Sequence, residues 1–272
     1  MPGFHRALRG RVMDWPKRTH AEQSVKKRWL VVSPVVLALA AGIAIWSHYL
    51  APPAREALPL PEQLVAVDSA EGRRLLAESG HIADYPSLRT HFQPQVRRAY
   101  CGVASAVIAL NALRPQAPRL DQGSFFHDAA RDVRHPLHVS YSGMSLAQLG
   151  QLLAAHGADA RTVHAADVDI ATFRAMALRN LSAPGDYVLV NYQREVLGQA
   201  RMGHISPLAG YHAGSDRFLV LDVASHKYPP VWVDTRTLWN AMREPLAPGT
   251  SRTRGFVLVR DSGIPLRVTA QR

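Results

Sequence analysis

The only cysteine of the 272-residue chain, Cys101, stands where a nucleophile would be expected. It is followed by Gly102 and begins an uncharged apolar run, residues 101–113, that is typical of a buried helix. Unpaired amide groups at a helix start favour a negative charge and help a thiolate to form. A glycine beside the thiol lets a substrate backbone approach. A lone cysteine is more often a small core residue than a nucleophile, so its neighbours must support the catalytic interpretation. A nucleophilic thiol would need a base nearby.

That base is predicted at His204, one of 13 histidines in the chain. His204 opens an extended run that turns near Gly214 and returns as Phe218–Val223, which contains Asp222. In an antiparallel hairpin with a three-residue loop, position 204 pairs near 224, and Asp222 lies within diagonal reach on the same face. A carboxylate in an apolar run needs a partner. Orienting the Nδ1–H group of His204 explains both residues.

Acyl transfer also needs a hydrogen-bond donor for the oxyanion of its tetrahedral intermediate. Gln95 and Gln93 both precede the cysteine, and a side-chain amide there can act beside the Cys101 amide. The chain order glutamine, cysteine at a helix start, histidine and polar orienter is that of papain-like enzymes. The order alone predicts covalent acyl chemistry without defining its substrate.

Helices are predicted on both sides of the cysteine and strands towards the carboxyl end. Periodicity and caps predict helices at residues 64–80, with Asp68 or Ser69 as the cap, at 101–113, at 145–156, with Ser145 as the cap, and at 169–181. After Pro184-Gly185 the pattern predicts strands at Tyr187–Tyr192, His204–Tyr211, Phe218–Val223 and Gly255–Val259. Helices followed by strands predict an α+β domain, in which an antiparallel sheet carries the histidine and the aspartate.

A transmembrane anchor is predicted at residues 29–50. No charged residue occurs from Trp29 to Ala54, and the apolar stretch approaches the roughly 20 residues that span a bilayer. The basic cluster at residues 26–28 should remain in the cytoplasm, which predicts a single-pass inner-membrane protein with an extracytoplasmic, periplasmic catalytic domain. A cleaved signal peptide is the competing interpretation, although its apolar region normally has only about 7–15 residues.

The net charge of +11 is concentrated at the amino end. Residues 1–28 hold eight of the 32 Lys and Arg residues against Asp14 and Glu22, and the remaining excess has no cluster that would indicate nucleic-acid binding. We therefore predict a basic cytoplasmic tail at 1–28, the anchor at 29–50, a Pro-rich linker at 51–63 and a catalytic domain at 64–272. One cysteine excludes intrachain disulfides and Cys-rich zinc sites, and no metal site is predicted.

Several separated motifs between about Asp68 and Asp261 resemble those of one family. They are Phe92–Gln95, Ala99–Ser105 and Leu110–Leu113 around the cysteine, and Gly203–Gly214, Leu221–Ala224, Lys227–Val233, Leu238–Met242 and Gly255–Val259 in the later half. In this order they resemble the catalytic region of phytochelatin synthases, glutathione gamma-glutamylcysteinyltransferases within the papain-like cysteine peptidase superfamily. The resemblance is to the bacterial short form that has the catalytic domain only.

The resemblance implies a papain-like fold and a role for each catalytic residue. Cys101 is the nucleophile, His204 the general base and acid, Asp222 the orienter and Gln95 the oxyanion donor. In the family, glutathione loses glycine to leave a γ-Glu-Cys acyl-enzyme, which passes to another glutathione or to water. Candidate substrate-binding residues are Gly102, Gly203, Lys227 and Arg97.

The same resemblance implies ligands for this chain and shows one position where its sequence differs from the family. Glutathione and its metal thiolates are the expected ligands, with Cd or Zn acting as the thiolate-bound ion or activator and no tightly bound cofactor. A homodimer is a further expectation. The family commonly has an arginine three residues after the orienting aspartate, whereas this chain has Ser225 followed by His226. Two alternatives stay open: a papain-like peptidase for another γ-glutamyl or small peptide, and an inactive membrane-tethered module that binds metal thiolates.

Overall fold

The computed structural model describes residues 34–246 and 250–263. The chain divides into two compact units, Met1–Trp46 and Ser47–Arg272. In the first unit, the described part of α1 comprises residues 34–45, which are helical and exposed. The second unit contains all the residues predicted to carry chemistry.

Within the described residues of the second unit, seven strands form one sheet in the order β1-β6-β5-β4-β3-β7-β2, with every neighbouring pair antiparallel. The strands are β1 (Val65–Ala66), β2 (Ala158–His164), β3 (Asp186–Gln193), β4 (Gly203–His212), β5 (Arg217–Val220), β6 (Val231–Asp234) and β7 (Gly255–Asp261). The antiparallel sheet confirms the coarse α+β prediction.

Helices cover both faces of this sheet. Their bounds are α2 (Ala70–Glu78), α3 (Tyr85–Thr90), α4 (Cys101–Leu113), α5 (Asp128–Val133), α6 (Pro136–Ser142), α7 (Leu146–Ala155), α8 (Ile170–Leu181) and α9 (Thr235–Arg243). Leu189 and Ile205 of the sheet join a core with α4 and α7. Val190 and Leu208 join a second core with α8 and α9. Successive strand residues point to opposite faces, so both faces of the central strands are apolar.

The predicted helix at 64–80 is shorter, because its first residues pair with the sheet. Val65 lies opposite Trp232 of β6, and α2 begins only at Ala70. Of the two predicted caps, Asp68 and Ser69, it is Ser69 that caps α2, since its Oγ accepts a hydrogen bond from Gly72 N at 2.9 Å. A Cβ on Gly72 would lie 1.9 Å from Ala66 O, so only glycine lets β1 run this close to the helix.

The β4–β5 hairpin differs from its prediction in two ways that cancel. His212 pairs with Arg217, so the loop has four residues, 213–216, instead of three. A register shift between Leu208 and Gly210 then places Leu208 opposite Val220. Continued from there, position 204 lies opposite 224, as predicted. The longer loop alone would have moved Asp222 to the opposite face of the sheet from His204. The bulge adds one residue to β4 and so returns Asp222 to the predicted face.

The expectation that helices come first and strands later was wrong in detail. β1 and β2 precede α8, and α9 separates β6 from β7. β2 (Ala158–His164) is an edge strand in which only Ala158 and Val163 are buried, so its sequence carries a weak apolar signal. Short or half-exposed strands gain their stability from pairing, which local periodicity does not show.

The predicted membrane anchor is only partly within the described residues. Residues 29–33 lie outside them, and residues 34–45 and Trp46–Leu50 are helical, the latter as a π-helix. Among the residues that the structure describes, no helix combines the length and apolar character needed to span a bilayer. The basic tail at 1–28 likewise lies outside the described residues.

Asp84, just before α3, is a buried carboxyl group without a hydrogen-bond partner among the described residues. It is 0% exposed, and both carboxyl oxygens are unpaired. Burial, together with the charge of Asp186, raises the pKa of Asp84 to about 8. The pKa of this carboxyl is higher in the folded chain than in the unfolded chain, so folding favours the protonated form. The free energy of unfolding therefore falls as pH rises from about 4 to about 8.

We therefore expect Asp84→Asn to leave Tm nearly unchanged at pH 4 and to raise it by at least about 5 °C at pH 9 relative to the unmodified chain. The amide imitates the neutral acid but cannot ionise. Thermal unfolding across pH 4–9 measures the difference, and Asp132→Asn, at an exposed position of α5, is the control. A pH-independent gap between the Asp84 variant and the original chain would contradict this assignment.

Candidate active site

Three neighbouring strands bring polar residues together at one edge of the sheet. β3 ends at Gln193, directly before Arg194, and β4 begins at Gly203, directly before His204. β5 ends at Val220, two residues before Asp222. Since these strands are antiparallel neighbours, the end of β3, the start of β4 and the end of β5 meet at the same edge.

His204 and Asp222 form the pair that the hairpin predicts. His204 Nε2 lies 2.9 Å from Asp222 Oδ1, and the two residues are 2% and 0% exposed. The prediction that Nδ1 faces the carboxylate was wrong, because Nε2 does. The ring of Tyr192, opposite His204 on β3, packs edge-on against the imidazole with centroids 5.6 Å apart. The imidazole is therefore held by a hydrogen bond on one side and an aromatic contact on another.

Arg194 is a member of the site that the sequence analysis missed. Its Nη2 donates to Asp222 Oδ1 at 2.7 Å, and its side chain is 2% exposed. Burial raises the pKa of Asp222, but the charges of Arg194 and His204 outweigh it and hold that pKa well below its usual range. An arginine at the end of the strongly apolar β3 was the available signal, because a buried guanidinium requires a carboxylate.

Cys101 lies at the start of α4, against the residue that follows His204. The backbone N–H groups of Ile205 and Gly102 lie close enough to its thiol to favour the thiolate and lower its pKa. Ser105 Oγ, one turn along α4, donates to Ile205 O at 3.0 Å and ties the helix to β4. The helix bounds, Cys101–Leu113, are as predicted. Packing of α4 on β4 therefore places Cys101 against Ile205, the residue that follows His204.

Burial is the main cause of the pKa shifts of the Cys101 thiol and the His204 imidazole. It raises the pKa of the Cys101 thiol above its ordinary value, although the Ile205 N–H group and the charge of Arg194 oppose this shift. The expected help from the helix start is therefore outweighed by desolvation. Burial, and then the Arg194 charge, lower the pKa of His204 to about 4. At neutral pH the site holds a neutral imidazole that can accept a proton.

Gln95 is held near Asp222 by hydrogen bonds from its backbone and its side chain. Its N–H group donates to Val223 O at 2.9 Å, next to Asp222. Its Nε2 donates to Arg97 O at 3.0 Å and Arg98 O at 2.8 Å. An oxyanion can be reached by this amide only if one of those two bonds is released. Gln93 points elsewhere, since its Nε2 donates to Leu120 O at 3.1 Å.

Comparison of the sequence with known protein families shows to which family the chain belongs. Residues 55–256, which include the cysteine, histidine and aspartate, match the family described as Phytochelatin synthase. The chain belongs to the phytochelatin synthase family.

Curated relatives carry the name glutathione gamma-glutamylcysteinyltransferase. The chain is 38% identical to form 1 of Triticum aestivum over 211 residues, covering 75% of this chain and 42% of the relative. It is 34% identical to form 1 of Arabidopsis thaliana, covering 75% and 43%, and 29% identical to the protein of Schizosaccharomyces pombe (strain 972 / ATCC 24843), covering 77% and 52%. The chain thus spans about half the length of the curated relatives it matches.

The cleft of this family member is basic. Exposed Arg98 and half-buried Lys227 and His226 line it, and no acidic residue occurs among its described lining residues, which are Gln95, Arg98, Arg194, Ala200, Met202, His204, Ala224, His226, Lys227 and Tyr228. Basic groups around a buried imidazole favour an anionic ligand. Lys227 thus lines the cleft, and its role in substrate binding stays a prediction.

Arg97, also predicted to bind substrate, is already engaged. Its Nη1 lies 2.8 Å from both Tyr100 Oη and Ser140 Oγ, and its guanidinium lies 4.9 Å from the centre of the Tyr100 ring. These contacts tie the loop before α4 to α6. Arg98, the neighbouring residue, is the one that lines the cleft.

The two candidate glycines permit close packing of protein groups. A Cβ on Gly102 would lie 2.6 Å from Met144 Sδ, so a larger residue would displace that side chain. A Cβ on Gly203 would lie 3.2 Å from Arg254 Nη2. Each glycine thus has a structural reason within the protein, and a substrate contact stays a prediction. Among the described residues, no group of three or more His, Cys, Asp or Glu side chains is placed to hold a metal ion.

Proposed function

We propose that this chain is a cysteine-dependent glutathione gamma-glutamylcysteinyltransferase with a papain-like arrangement. The observation that carries the proposal is the buried His204–Asp222 pair beside the single cysteine, in a chain that belongs to the phytochelatin synthase family. Its relatives' names support glutathione as the substrate. The reaction cleaves the Cys-Gly bond and passes a γ-Glu-Cys acyl group to glutathione or to water.

In the acylation step, His204 takes the Cys101 proton on the nitrogen that does not face Asp222, and the thiolate attacks the carbonyl carbon of the Cys-Gly bond. The Cys101 N–H group and the Gln95 amide stabilise the resulting oxyanion. Collapse of the intermediate breaks the C–N bond, and His204 returns its proton to the glycine amine. A thioester on Cys101 and free glycine are the products of this step.

Deacylation reverses these roles. His204 removes a proton from the amine of a second glutathione or from water, which attacks the thioester carbonyl. The C–S bond breaks, and the released Cys101 thiolate takes that proton back from His204. Basic Arg98 and Lys227 at the cleft would hold a carboxylate of the donor or the acceptor. Because Ser225 stands where the family commonly has arginine, we propose that acceptor binding relies more on Lys227 and His226 in this chain.

Glycine release from glutathione by the full chain tests the proposal directly. Mass spectrometry of the products, with and without cadmium, separates transfer from hydrolysis and from action on other γ-glutamyl peptides. Phytochelatin or γ-Glu-Cys together with stoichiometric turnover of glycine supports the proposal. Binding of cadmium–glutathione without any glycine release would favour the inactive metal-thiolate module instead.

We propose that Cd or Zn reaches the enzyme as a glutathione thiolate.

The role of Gln95 can be separated from its structural contacts. Gln95→Ala should lower kcat about 10²–10³-fold with little change in KM, the usual loss for one oxyanion donor. Gln93→Ala is the matched control, because it removes a loop hydrogen bond two residues away but no cleft donor. Steady-state kinetics on folded protein measure the effect. Equal losses in the two variants would show that Gln95 only holds the loop.

We also propose that residues 29–50 anchor the chain in the inner membrane, with residues 1–28 in the cytoplasm and the catalytic domain outside. The basic cluster at 26–28 and the absence of charged residues from Trp29 to Ala54 support this orientation. A phosphatase reporter fused after residue 55 should be active, and a fluorescent cytoplasmic reporter at that point should be dark. The reverse pattern would overturn the orientation.

A further inference from the structure

We propose that residues 56–63 form a strap that holds one wall of the cleft in place and so strengthens binding of the anionic substrate there. This strap is part of the segment predicted as a Pro-rich linker, and it lies against the catalytic domain. Glu56 N donates to His226 O at 2.9 Å, and Leu58 N donates to Lys227 O at 3.1 Å. The two accepting residues line the cleft. The proposal rests on the proposed function only for the identity of the substrate.

The wall is the loop between β5 and β6 that carries His226 and Lys227. Its amide groups are held from within the domain. Ala224 N donates to Asp222 Oδ1 at 2.8 Å. The N–H groups of Lys227 and Tyr228 donate to Ala224 O at 2.8 Å and 3.2 Å. Among the described residues, only the strap donates to the carbonyl groups of His226 and Lys227, so the strap completes the hydrogen bonding of this wall.

The strap also contacts the loop between β3 and β4, which lines the same cleft. Gln63 Nε2 donates to Leu197 O at 2.9 Å. A Cβ on Gly198, whose φ is +76°, would lie 2.7 Å from Gln63 Nε2, so the glycine lets the strap approach closely. Ala200 N donates to Tyr228 Oη at 3.0 Å and joins the two loops. One segment thus supports both loops on this side of the cleft.

The carboxyl end of the strap is fixed to the body of the domain. Arg217 Nη1, at the start of β5, donates to Gln63 O at 2.9 Å, and Leu60 packs against the second core. Pro59 and Pro61 fix their own φ angles near about −65°, which reduces the conformational freedom that the segment loses on folding. The strap is therefore a stiff support.

Loss of a hydrogen bond between the strap and the wall should weaken substrate binding without slowing the chemistry. Acceptor binding is proposed to rely on His226 and Lys227, and a mobile wall must be ordered again whenever substrate binds. The catalytic pair is held separately, because Asp222 accepts from Arg194 and His204 at 2.7 Å and 2.9 Å. We therefore expect KM for glutathione to rise about 3–10-fold and kcat to change by less than about two-fold.

Proline substitutions remove the two donors of the strap one at a time. Glu56→Pro and Leu58→Pro each lack the backbone N–H group that reaches the wall. Leu58→Pro changes no charge, so an effect shared by both variants cannot come from the Glu56 carboxylate. Ala57→Pro is the matched control, since exposed Ala57 lies between the donors and its N–H group makes no hydrogen bond among the described residues. Leu58→Ala, which keeps the N–H group, controls for the leucine side chain.

Hydrogen exchange of the full chain, measured by mass spectrometry, tests the strap without any activity. The amides of Lys227 and Tyr228 should exchange at least about five-fold faster in Glu56→Pro and Leu58→Pro, because the loop opens more often. Ala57→Pro and Leu58→Ala should match the unmodified chain, and protected α4 amides show that each variant is folded. Unchanged exchange in both donor variants would overturn the proposal, as would an equal rise in Ala57→Pro.

A further variant covers the case in which neither proline variant folds. Gln63→Ala removes the hydrogen bond to Leu197 O at the other attachment of the strap, so the amides of Gly198 and Gln199 should exchange faster. Unchanged exchange at those two amides would then overturn the proposal.

Calorimetric titration and steady-state kinetics test the effect on binding. In the Cys101→Ala chain, the Kd for glutathione should rise about 3–10-fold when Glu56→Pro or Leu58→Pro is added, and with Cys101 present the same changes should raise KM alone. Faster exchange with unchanged Kd and KM would also overturn the proposal. An unmodified chain that neither binds glutathione nor releases glycine would refute the proposed function, whereas hydrogen exchange, which needs no substrate, would still show whether the strap holds the wall.

Discussion

Cys101→Ala should abolish glycine release and acyl-enzyme formation together, because no other thiol exists in the chain. Loss of the nucleophile in a serine protease lowers kcat by about 2 × 10⁶, and an effect of at least about 10⁵ is expected here. The measurement is glycine release from glutathione, together with intact mass after denaturation, which detects a γ-Glu-Cys adduct on the unmodified chain.

Two variants control for the position of Cys101 at the start of α4. Cys101→Ser keeps the size and a hydroxyl acceptor for Ile205 N, so it should fold equally well and remain inactive. Ser105→Ala loses the hydrogen bond to Ile205 O but leaves the thiol, so it should lower stability by about 1 kcal/mol and retain turnover. A γ-Glu-Cys adduct trapped on the Cys101→Ala protein would contradict the mechanism in which Cys101 carries the acyl group.

The elements that carry the chemistry were largely readable from the sequence, because local signals and tertiary packing agree there. The α4 bounds follow from an uninterrupted apolar run, and Ser69 and Ser145 cap their helices through hydrogen bonds that the sequence indicates. Ser145 forms a complete capping box with Gln148. Such features are local, so a single sequence reveals them.

Other features depend on contacts between distant segments. Arg194 meets Asp222 only because β3 and β5 flank β4, and no spacing in the sequence shows that neighbourhood. The hairpin pairing of His204 and Asp222 was predicted, yet its loop length was wrong and the bulge after Leu208 compensated for the error. The nitrogen of His204 that faces the carboxylate could be decided only by three-dimensional geometry. The remaining errors therefore concern register and partner choice, which tertiary contacts determine.

Asp222→Asn should leave the fold recognisable but reduce turnover by about 10⁴, as the same exchange does in a serine protease. The structure gives the reason for this chain. His204 presents Nε2 to position 222, so a carboxylate keeps the proton on Nε2 and leaves Nδ1 free to accept the thiol proton. An amide can donate to Nε2 instead and would favour the opposite tautomer. His204→Ala, which removes the base altogether, should be at least as severe.

The buried arginine makes the stability of these variants informative as well. Asp222→Asn leaves Arg194 without its carboxylate, and loss of one partner of a buried pair costs about 3–5 kcal/mol. Activity must therefore be expressed per folded protein, with Tm measured alongside. Asp216→Asn is the matched control, because Asp216 pairs with Arg174 at 2.7 Å in the same hairpin, away from the cleft. It should lower Tm and leave turnover per folded molecule unchanged.

If Cys101, His204 and Asp222 serve one chemical step, the losses caused by changing them should not multiply. The double variant His204→Ala with Asp222→Asn should be about as slow as the worse single variant, because an orienting carboxylate has no function without its imidazole. Independent contributions would instead give the product of the two single losses. Glycine release from glutathione, measured for the four proteins of this cycle at one pH, distinguishes the two results. Strictly multiplicative losses in a folded double variant, or an Asp222→Asn protein whose activity falls only with its folded fraction, would mean that Asp222 serves the fold and that His204 acts without it.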